Sequence, residues 1–330
     1  MPRVSWLIPV RDGARWLGQA VRSALADSAD DDEVLVVDDG SFDEPTTVLP
    51  PDRRVRVLRQ AALGIVAALE HGRREARAEY IARLDCDDLV LPGRLDAQLA
   101  YLRSNADVVA VGGRARPIAD EGEVPLGMRR YVEWVNGQRD PHVEILVESP
   151  MFHPATMLRA SAVEKIGGYR AGAFPEDYDL FLRLARVGRL ANLDREVLAW
   201  RDRPGRLTRT DPRYARAAFL PLKQAWLHTG PLCEPKMVAL WGAGEAGRPW
   251  LPWLLTSGHQ VELFDIGAGR SERFVSRRGI AIRAPAALAE AKFDLLLVAV
   301  GARGAREAIR ERIRAMRPAL VEGKHWFAVA

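Results

Sequence analysis

Short apolar runs alternate with helix-spaced patterns from the start of the chain. Residues 4–10 read as a buried strand, and 14–26 follow with Leu17, Val21, Ala24 and Leu25 at the spacing of an amphipathic helix. Further strands are predicted at 34–37, 55–58, 80–84 and 108–111, and further helices at 62–77 and 94–103. This alternation predicts an α/β fold whose sheet is mostly parallel and covered on both faces. Residues 114–150 carry more charge, Gly and Pro and predict no regular element, whereas 176–187 and 213–229 return to helical spacing.

The pattern then stops and restarts. Gly230-Pro231-Leu232-Cys233-Glu234-Pro235 is rich in turn formers. Beyond it the sequence predicts a strand at 237–241, a glycine-rich turn at 242–247, a helix at 250–255 beside Pro249 and Pro252, and strands at 261–264 and 295–300. Two domains are therefore expected, 1–232 and 233–330, the second a small α/β unit. His325-Trp326-Phe327 is expected as an exposed tail that docks onto this second domain.

Composition narrows the class. A length of 330 residues suits two domains, and 48% hydrophobic with 28% charged residues suits a globular protein with a sizeable core. The net charge of +4 comes from arginines spread along the chain rather than gathered in an aromatic-laced patch, which argues against a nucleic-acid partner. The two cysteines, Cys86 and Cys233, are too few for a disulfide framework and fit a reducing, cytoplasmic setting. The opening apolar stretch ends at Arg11-Asp12-Gly13, too short for a signal-peptide core, and no later run reaches the ~20 apolar residues of a membrane span. Peripheral membrane association stays open, and the oligomeric state is unspecified.

Three acidic clusters fall where an open α/β sheet presents ligands, just past the carboxyl ends of strands. Asp38-Asp39-Gly40-Ser41 is either a solvated turn or a ligand loop. Asp85-Cys86-Asp87-Asp88 gathers three carboxylates that repel one another unless a cation neutralises them, and such hard oxygen ligands suit Mg²⁺ or Mn²⁺. The competing reading is an N-cap cluster leading into the 94–103 helix. Glu176-Asp177-Tyr178-Asp179 opens a helix, where the dipole favours acids in any case, and a functional role needs one carboxylate to serve as general base.

In this order the pieces resemble a family 2 glycosyltransferase of the GT-A fold over the first ~230 residues, which implies an α/β domain with a mixed, mostly parallel sheet. The matching stretches are Ile8-Pro9-Val10, Val36-Val37-Asp38-Asp39-Gly40-Ser41, Tyr80-Ile81-Ala82-Arg83-Leu84-Asp85-Cys86-Asp87-Asp88 with Pro92 and Arg94-Leu95, His153-Pro154 with Gly167-Gly168-Tyr169, and Glu176-Asp177-Tyr178-Asp179-Leu180. The chain departs from the family pattern at Arg11-Asp12, where Tyr-Asn is frequent. The resemblance implies a nucleotide-sugar donor held by Pro9, Asp39, Asp85, Asp87 and Arg206, with Asp39 accepting from a uracil ring and so favouring UDP. It implies Mn²⁺ or Mg²⁺ on Asp87 and Asp85, Asp88 behind them, and Asp177 as the catalytic base of an inverting single displacement. Glu176 and His153 would lie on the acceptor side, and Asp179 would face outward or cap. The arginine-rich loop 200–209 would close over the donor, and Trp134 and Trp200 would stack on sugar or pack in the core.

In the second domain, Gly242, Gly244 and Gly247 form a GxGxxG turn after a strand, and Asp265 ends the next strand. Gly301-Ala302-Arg303-Gly304-Ala305-Arg306 is a second glycine-rich strand end. The region resembles the small Rossmann-like domain of bacterial sugar acyltransferases, without the acyltransferase repeat. A nucleotide or nucleotide-sugar pocket, a packing or dimerising relic, and an NAD site all remain open. At the level of the whole chain, the alternatives to a sugar transferase are an NAD-linked or nucleotidyl sugar-nucleotide enzyme and a catalytically inactive nucleotide-sugar-binding protein.

Overall fold

A computed structural model describes residues 2–138, 140–269, 276–302 and 304–330. The chain forms two compact units, 1–142 with 149–219, and 143–148 with 220–330. The division thus falls before the turn-rich 230–235 stretch at which the sequence changes character. Lys223 explains why: its ammonium donates to the carbonyls of Val147 (2.7 Å) and Val329 (3.2 Å), which ties the helix before the turn and the 143–148 segment to the second unit.

Along the chain to the end of the first unit run β1 (Val4–Val10), α1 (Ala14–Ala26), β2 (Glu33–Asp39), β3 (Val55–Gln60), α2 (Ile65–Glu75), β4 (Tyr80–Arg83), β5 (Leu89–Val90), α3 (Arg94–Ser104), β6 (Val108–Ala119), α4 (Leu126–Asn136), α5 (Pro141–Glu144), β7 (Met157–Arg159), α6 (Ala160–Lys165), α7 (Glu176–Leu184), β8 (Arg189–Asp202) and α8 (Leu207–Thr210). The sheet order is β3-β2-β1-β4-β7-β6-β8-β5. Its first four strands are parallel, with Leu7 opposite Leu35 and Arg83. β7 is antiparallel to both neighbours, whereas β6 and β8 run parallel through several register shifts. The sheet is therefore mostly parallel, as the alternation of apolar runs predicts, and mixed, as the GT-A resemblance implies.

The reasons are local. α1 buries Leu17, Val21, Ala24 and Leu25, the stripe read from the sequence, against Trp6, Ile8, Val34 and Val36. α2 lies so close to the sheet that a Cβ at Gly72 would sit 2.1 Å from Leu7 Cδ1. Two regions depart from expectation. β6 continues to Ala119 and is followed by α4, inside the stretch read as irregular; Ala115 is buried between exposed Arg114 and Arg116, so charge hides the alternation. β8, partner to β6, has no counterpart in the prediction, because Asp194, Arg195 and Glu196 interrupt its apolar ends at the bulge. The helix expected at 213–229 begins later, as α9 (Arg216–His228) after a 3₁₀ turn at Pro212–Tyr214.

The second unit contains β9 (Met237–Trp241), α10 (Trp250–Thr256), β10 (Gln260–Phe264), β11 (Ser276–Arg277), β12 (Ile280–Arg283), β13 (Leu295–Val298), α11 (Ala305–Met316) and β14 (Trp326–Ala328). The order β11-β12-β10-β9-β13-β14 is parallel apart from β11. Trp241, Phe264, Leu296, Val298, Ile309, Ile313 and Trp326 fill its core. The His325-Trp326-Phe327 stretch docks onto its own unit, but as a strand rather than an exposed tail: Trp326 and Phe327 are buried, and β14 pairs with β13 at the edge of the sheet. Arg303, part of the second glycine-rich strand end, lies outside the described residues. Among the described residues no helix is long and apolar enough to cross a membrane.

Candidate active site

In the first sheet the chain moves outward from β1 to β2 and β3, while β4 lies on the other side of β1. Such a reversal opens a crevice at the carboxyl ends of the strands, which is where open α/β sheets hold ligands. The loops after β1, β2 and β4 line this edge.

After β1, Asp12 adopts φ +51 and stitches two loops together: its carboxylate accepts from Phe42 N (2.8 Å) and its own N–H donates to Ser41 Oγ (3.1 Å). Thus Arg11-Asp12 supplies a loop brace rather than an aromatic platform. Pro9 is buried within β1, opposite Val37. After β2, Asp39 is 3% exposed and accepts from Gln60 Nε2 (2.7 Å), Leu63 N (2.8 Å) and Gly64 N (2.9 Å). A carboxylate has about four acceptor sites, so one remains on Asp39. Gly40 turns the chain at φ +68, and a Cβ there would meet Ala62 N at 2.7 Å.

After β4, ligand oxygens of Asp85, Asp87 and Asp88 all lie within 4.8 Å of one another. The capping alternative for this cluster fails. Gly93 begins α3, and its N–H (2.5 Å) and that of Leu95 (2.8 Å) are capped by Asp27 from the end of α1, a partner with no sequence signal. Each carboxylate has a different environment. Asp85 pairs with the buried Arg83 at 2.6 Å. Asp87 pairs with Arg203 at 2.5 Å, and the Arg203 guanidinium also lies 4.9 Å over Trp16. Asp88 is fully buried; its Oδ1 accepts from Arg201 N (2.7 Å), while Oδ2 has no hydrogen-bond partner among the described residues.

Burial, then the charges of Asp87 and Asp85, push the Asp88 carboxyl well above the ordinary range. Burial acts on Asp85 in the same direction, but Arg83 and Arg206 overcome it and hold that carboxyl below its ordinary value. Three converging carboxylates with one orphaned buried oxygen fit a hard divalent cation. Cys86, between them in sequence, packs the other way: it belongs to the apolar core, and a Cβ on Gly13 would meet its Sγ at 2.9 Å.

α7 brings the third cluster. Glu176 is buried and receives the Tyr214 hydroxyl (2.6 Å to Oε2). Asp177 is half-buried, and burial, then the neighbouring Glu176 and Asp85 charges, raise its carboxyl to about 7. Asp85 thus lies within electrostatic reach of Asp177, so the second and third clusters share a field. Asp179 corrects an expectation: it is 2% exposed rather than outward-facing, gripped by Arg170 and by Arg183 (2.6 Å). His153 is buried, its Nε2 lies 2.9 Å from Tyr169 Oη, and burial followed by the Arg83 charge keeps the imidazole neutral.

Two further arginines organise the edge. Arg206 stacks 3.8 Å over Trp200 and donates to the Arg201 carbonyl. Trp200 belongs to the core with Phe152, and Trp134 packs against that cluster, so both tryptophans are packing residues here. Arg94 is fully buried, lowered by burial to about 9, and donates to the carbonyls of Pro154 (2.9 Å), Arg83 (2.8 Å) and Thr156 (3.2 Å). It ties the end of β4, two residues before Asp85, to the His153 turn. Sequence spacing placed Arg94 in the motif but gave no sign of its burial.

Residues 5–167 match the model of the family described as "Glycosyl transferase family 2". The chain is 30% identical over 202 residues to the glycosyltransferase-type protein EpsE of Bacillus subtilis, covering 57% of this chain and 68% of EpsE. It is 27% identical over 222 residues to an uncharacterized glycosyltransferase of Rickettsia felis, covering 64% of this chain but only 35% of that protein's length. Among solved structures, the mannosyltransferase PcManGT of Pyrobaculum calidifontis, determined with GDP-Man and Mn²⁺, superposes with a TM-score of 0.55 at 18% identity, covering 78% of this chain and 69% of that one. At that identity the likeness speaks for the fold.

Proposed function

The chain belongs to glycosyl transferase family 2, and from that premise we propose that it moves a sugar from a nucleotide-sugar donor to an acceptor hydroxyl with inversion at the anomeric carbon. Asp177 carries the reading. It is a half-buried carboxylate raised to about 7, beside a second acid and within the field of the Asp85–Asp88 cluster. A general base works best when its pKa lies near the operating pH.

As the acceptor oxygen forms its bond to the anomeric carbon, Asp177 takes the hydroxyl proton, and the bond to the diphosphate oxygen breaks with its electron pair leaving on the diphosphate. Asp85 and Asp87 would hold Mn²⁺ or Mg²⁺, with Asp88 behind them, and the ion supplies Lewis-acid stabilisation of the leaving diphosphate when bound. Arg203, the present counter-ion of Asp87, is free to turn to phosphate oxygens once that carboxylate is otherwise engaged, and Arg206 is placed to join it from Trp200. Asp39, with one acceptor site left, supports a uracil N–H contact and hence a UDP-sugar. Glu176 holds negative charge beside the base, and neutral His153 lines the acceptor side through Tyr169.

The test is a panel of UDP- and GDP-sugars with and without Mn²⁺, read by calorimetry and donor turnover. Metal-dependent donor binding that survives Asp177→Asn, with turnover lost, is the expected result. Donor binding indifferent to Mn²⁺ and to Asp87→Ala would remove the proposal.

A further inference from the structure

Asp120 stands one residue past the end of β6, whose far half pairs with β8 so that Ile118 lies opposite Arg201. Its two oxygens gather three side chains. Oδ1 accepts from the indole Nε1–H of Trp16 on α1 (2.9 Å) and from the Arg201 guanidinium on β8 (3.1 Å). Oδ2 pairs with the largely exposed Arg15 (3.1 Å). A carboxylate in this place offsets the charge that the arginines bring, so that they can stand close together at the edge.

Both donors on Oδ1 lead directly to the acid cluster. Arg201 holds the loop after β4 from two further atoms: its backbone N–H donates to Asp88 Oδ1 (2.7 Å), and its Nε donates to the Asp87 carbonyl (2.7 Å). Trp16 is half-buried, and the guanidinium groups of Arg203 (4.9 Å) and Arg15 (5.4 Å) lie over its ring. Arg203 is the residue whose Nε pairs with Asp87. An indole N–H can only donate, so the bond to Asp120 fixes the direction in which the ring turns its face. A guanidinium stacked on an aromatic face keeps its edge N–H groups available. Arg203 can therefore exchange Asp87 for phosphate oxygens without leaving the ring.

We propose that Asp120 and Trp16 are positioning residues for the donor diphosphate. Through one oxygen Asp120 holds both the indole platform of Arg203 and the Arg201 clasp on the Asp87–Asp88 loop, so that the diphosphate and its cation meet an edge already arranged. Neither residue takes part in the bond exchange; their work is donor affinity. The inference rests on the transferase reading and adds to it residues that act on the acid cluster through two arginines.

The full chain is titrated with UDP and with GDP in Mn²⁺ by calorimetry, and exchange of the Trp16 indole N–H and the Arg201 amide is followed by NMR without ligand. Asp120→Ala is expected to speed both exchanges and to weaken nucleotide binding at least about fivefold. Asp120→Asn is expected to restore both, because Trp16 and Arg201 share Oδ1 and an amide oxygen can replace it. Trp16→Leu removes the platform and carries the same test if Asp120→Ala does not fold; a similar loss of affinity is expected. Combining Asp120→Ala with Arg203→Ala should weaken binding by less than the product of the two single effects. Unchanged exchange or wild-type nucleotide affinity in Asp120→Ala, no recovery in Asp120→Asn, or independent effects in the double variant would each overturn the proposal. If the wild type binds neither nucleotide with Mn²⁺, the transferase reading falls with it; if wild type and Asp120→Ala bind equally, this proposal falls alone.

Discussion

The carboxyl edges of the two sheets are built on one chain path and given opposite chemistry. β1, β2, β3 and β4 take the same places in the first sheet as β9, β10, β12 and β13 in the second. At the end of the second strand each has an aspartate, Asp39 or Asp265, that collects backbone N–H groups from neighbouring loops. Beyond that they diverge. The first edge adds three carboxylates after β4 and must hold counter-charges in Arg83 and Arg203. The second adds glycines and leaves amides bare. A switch point fixes where a ligand is met, and the loops alone decide which charge it carries.

The strongest way to break this contrast is at the base of the acid edge. Asp177→Asn is expected to lower kcat by about a thousandfold in a donor-turnover assay. The same change should raise the melting temperature at neutral pH. The folded state holds the Asp177 proton more tightly than the unfolded chain, so the stability it costs grows as pH climbs from the ordinary carboxylate range through about 7. The gain from Asn should accordingly be larger at pH 8 than at pH 5, and kcat/KM of the wild type should rise with pH and level off above about 7.

Next in size is Arg94→Met, expected to cost about 3 kcal/mol in urea titrations, because the carbonyls of Arg83, Pro154 and Thr156 lose a buried donor. The glycine edge has a counterpart in Gly247→Ala, expected to cost about 1–3 kcal/mol by overpacking against the Gly242 carbonyl and to move only the second unit's transition. The smallest effect sharpens the electrostatic half of the comparison. Arg203→Ala releases Asp87 from a partly exposed ion pair worth up to about 1 kcal/mol, so Mn²⁺ should bind about fivefold tighter without donor in calorimetry. Unchanged or weaker Mn²⁺ binding would mean that Arg203 and the cation do not compete.

What could be read in advance follows from how local each signal is. The strand at Val4–Val10 and the helix at Ala14–Ala26 appear with the limits expected, because both are written in one uninterrupted apolar pattern. β8 and the far half of β6 were hidden because each is stabilised by the other across 80–83 residues of chain, a pairing that no local pattern reveals. The acid clusters were legible as motifs, whereas the ion pairs that hold them were not: Arg83 and Arg203 stood in recognised stretches, but no local pattern says that they pair with Asp85 and Asp87. The same holds for Asp27, whose cap on α3 arises from a contact across 66 residues.

Cys86 has a consequence for which cations the acid edge can favour. With its sulfur turned into the apolar layer against Gly13, the cluster offers oxygen and nothing softer, although a thiol stands between its carboxylates in the sequence. A thiophilic ion such as Cd²⁺ or Zn²⁺ would therefore gain no sulfur bond from Cys86 there, and any discrimination against it would be exercised by core packing rather than by a residue that touches the ion.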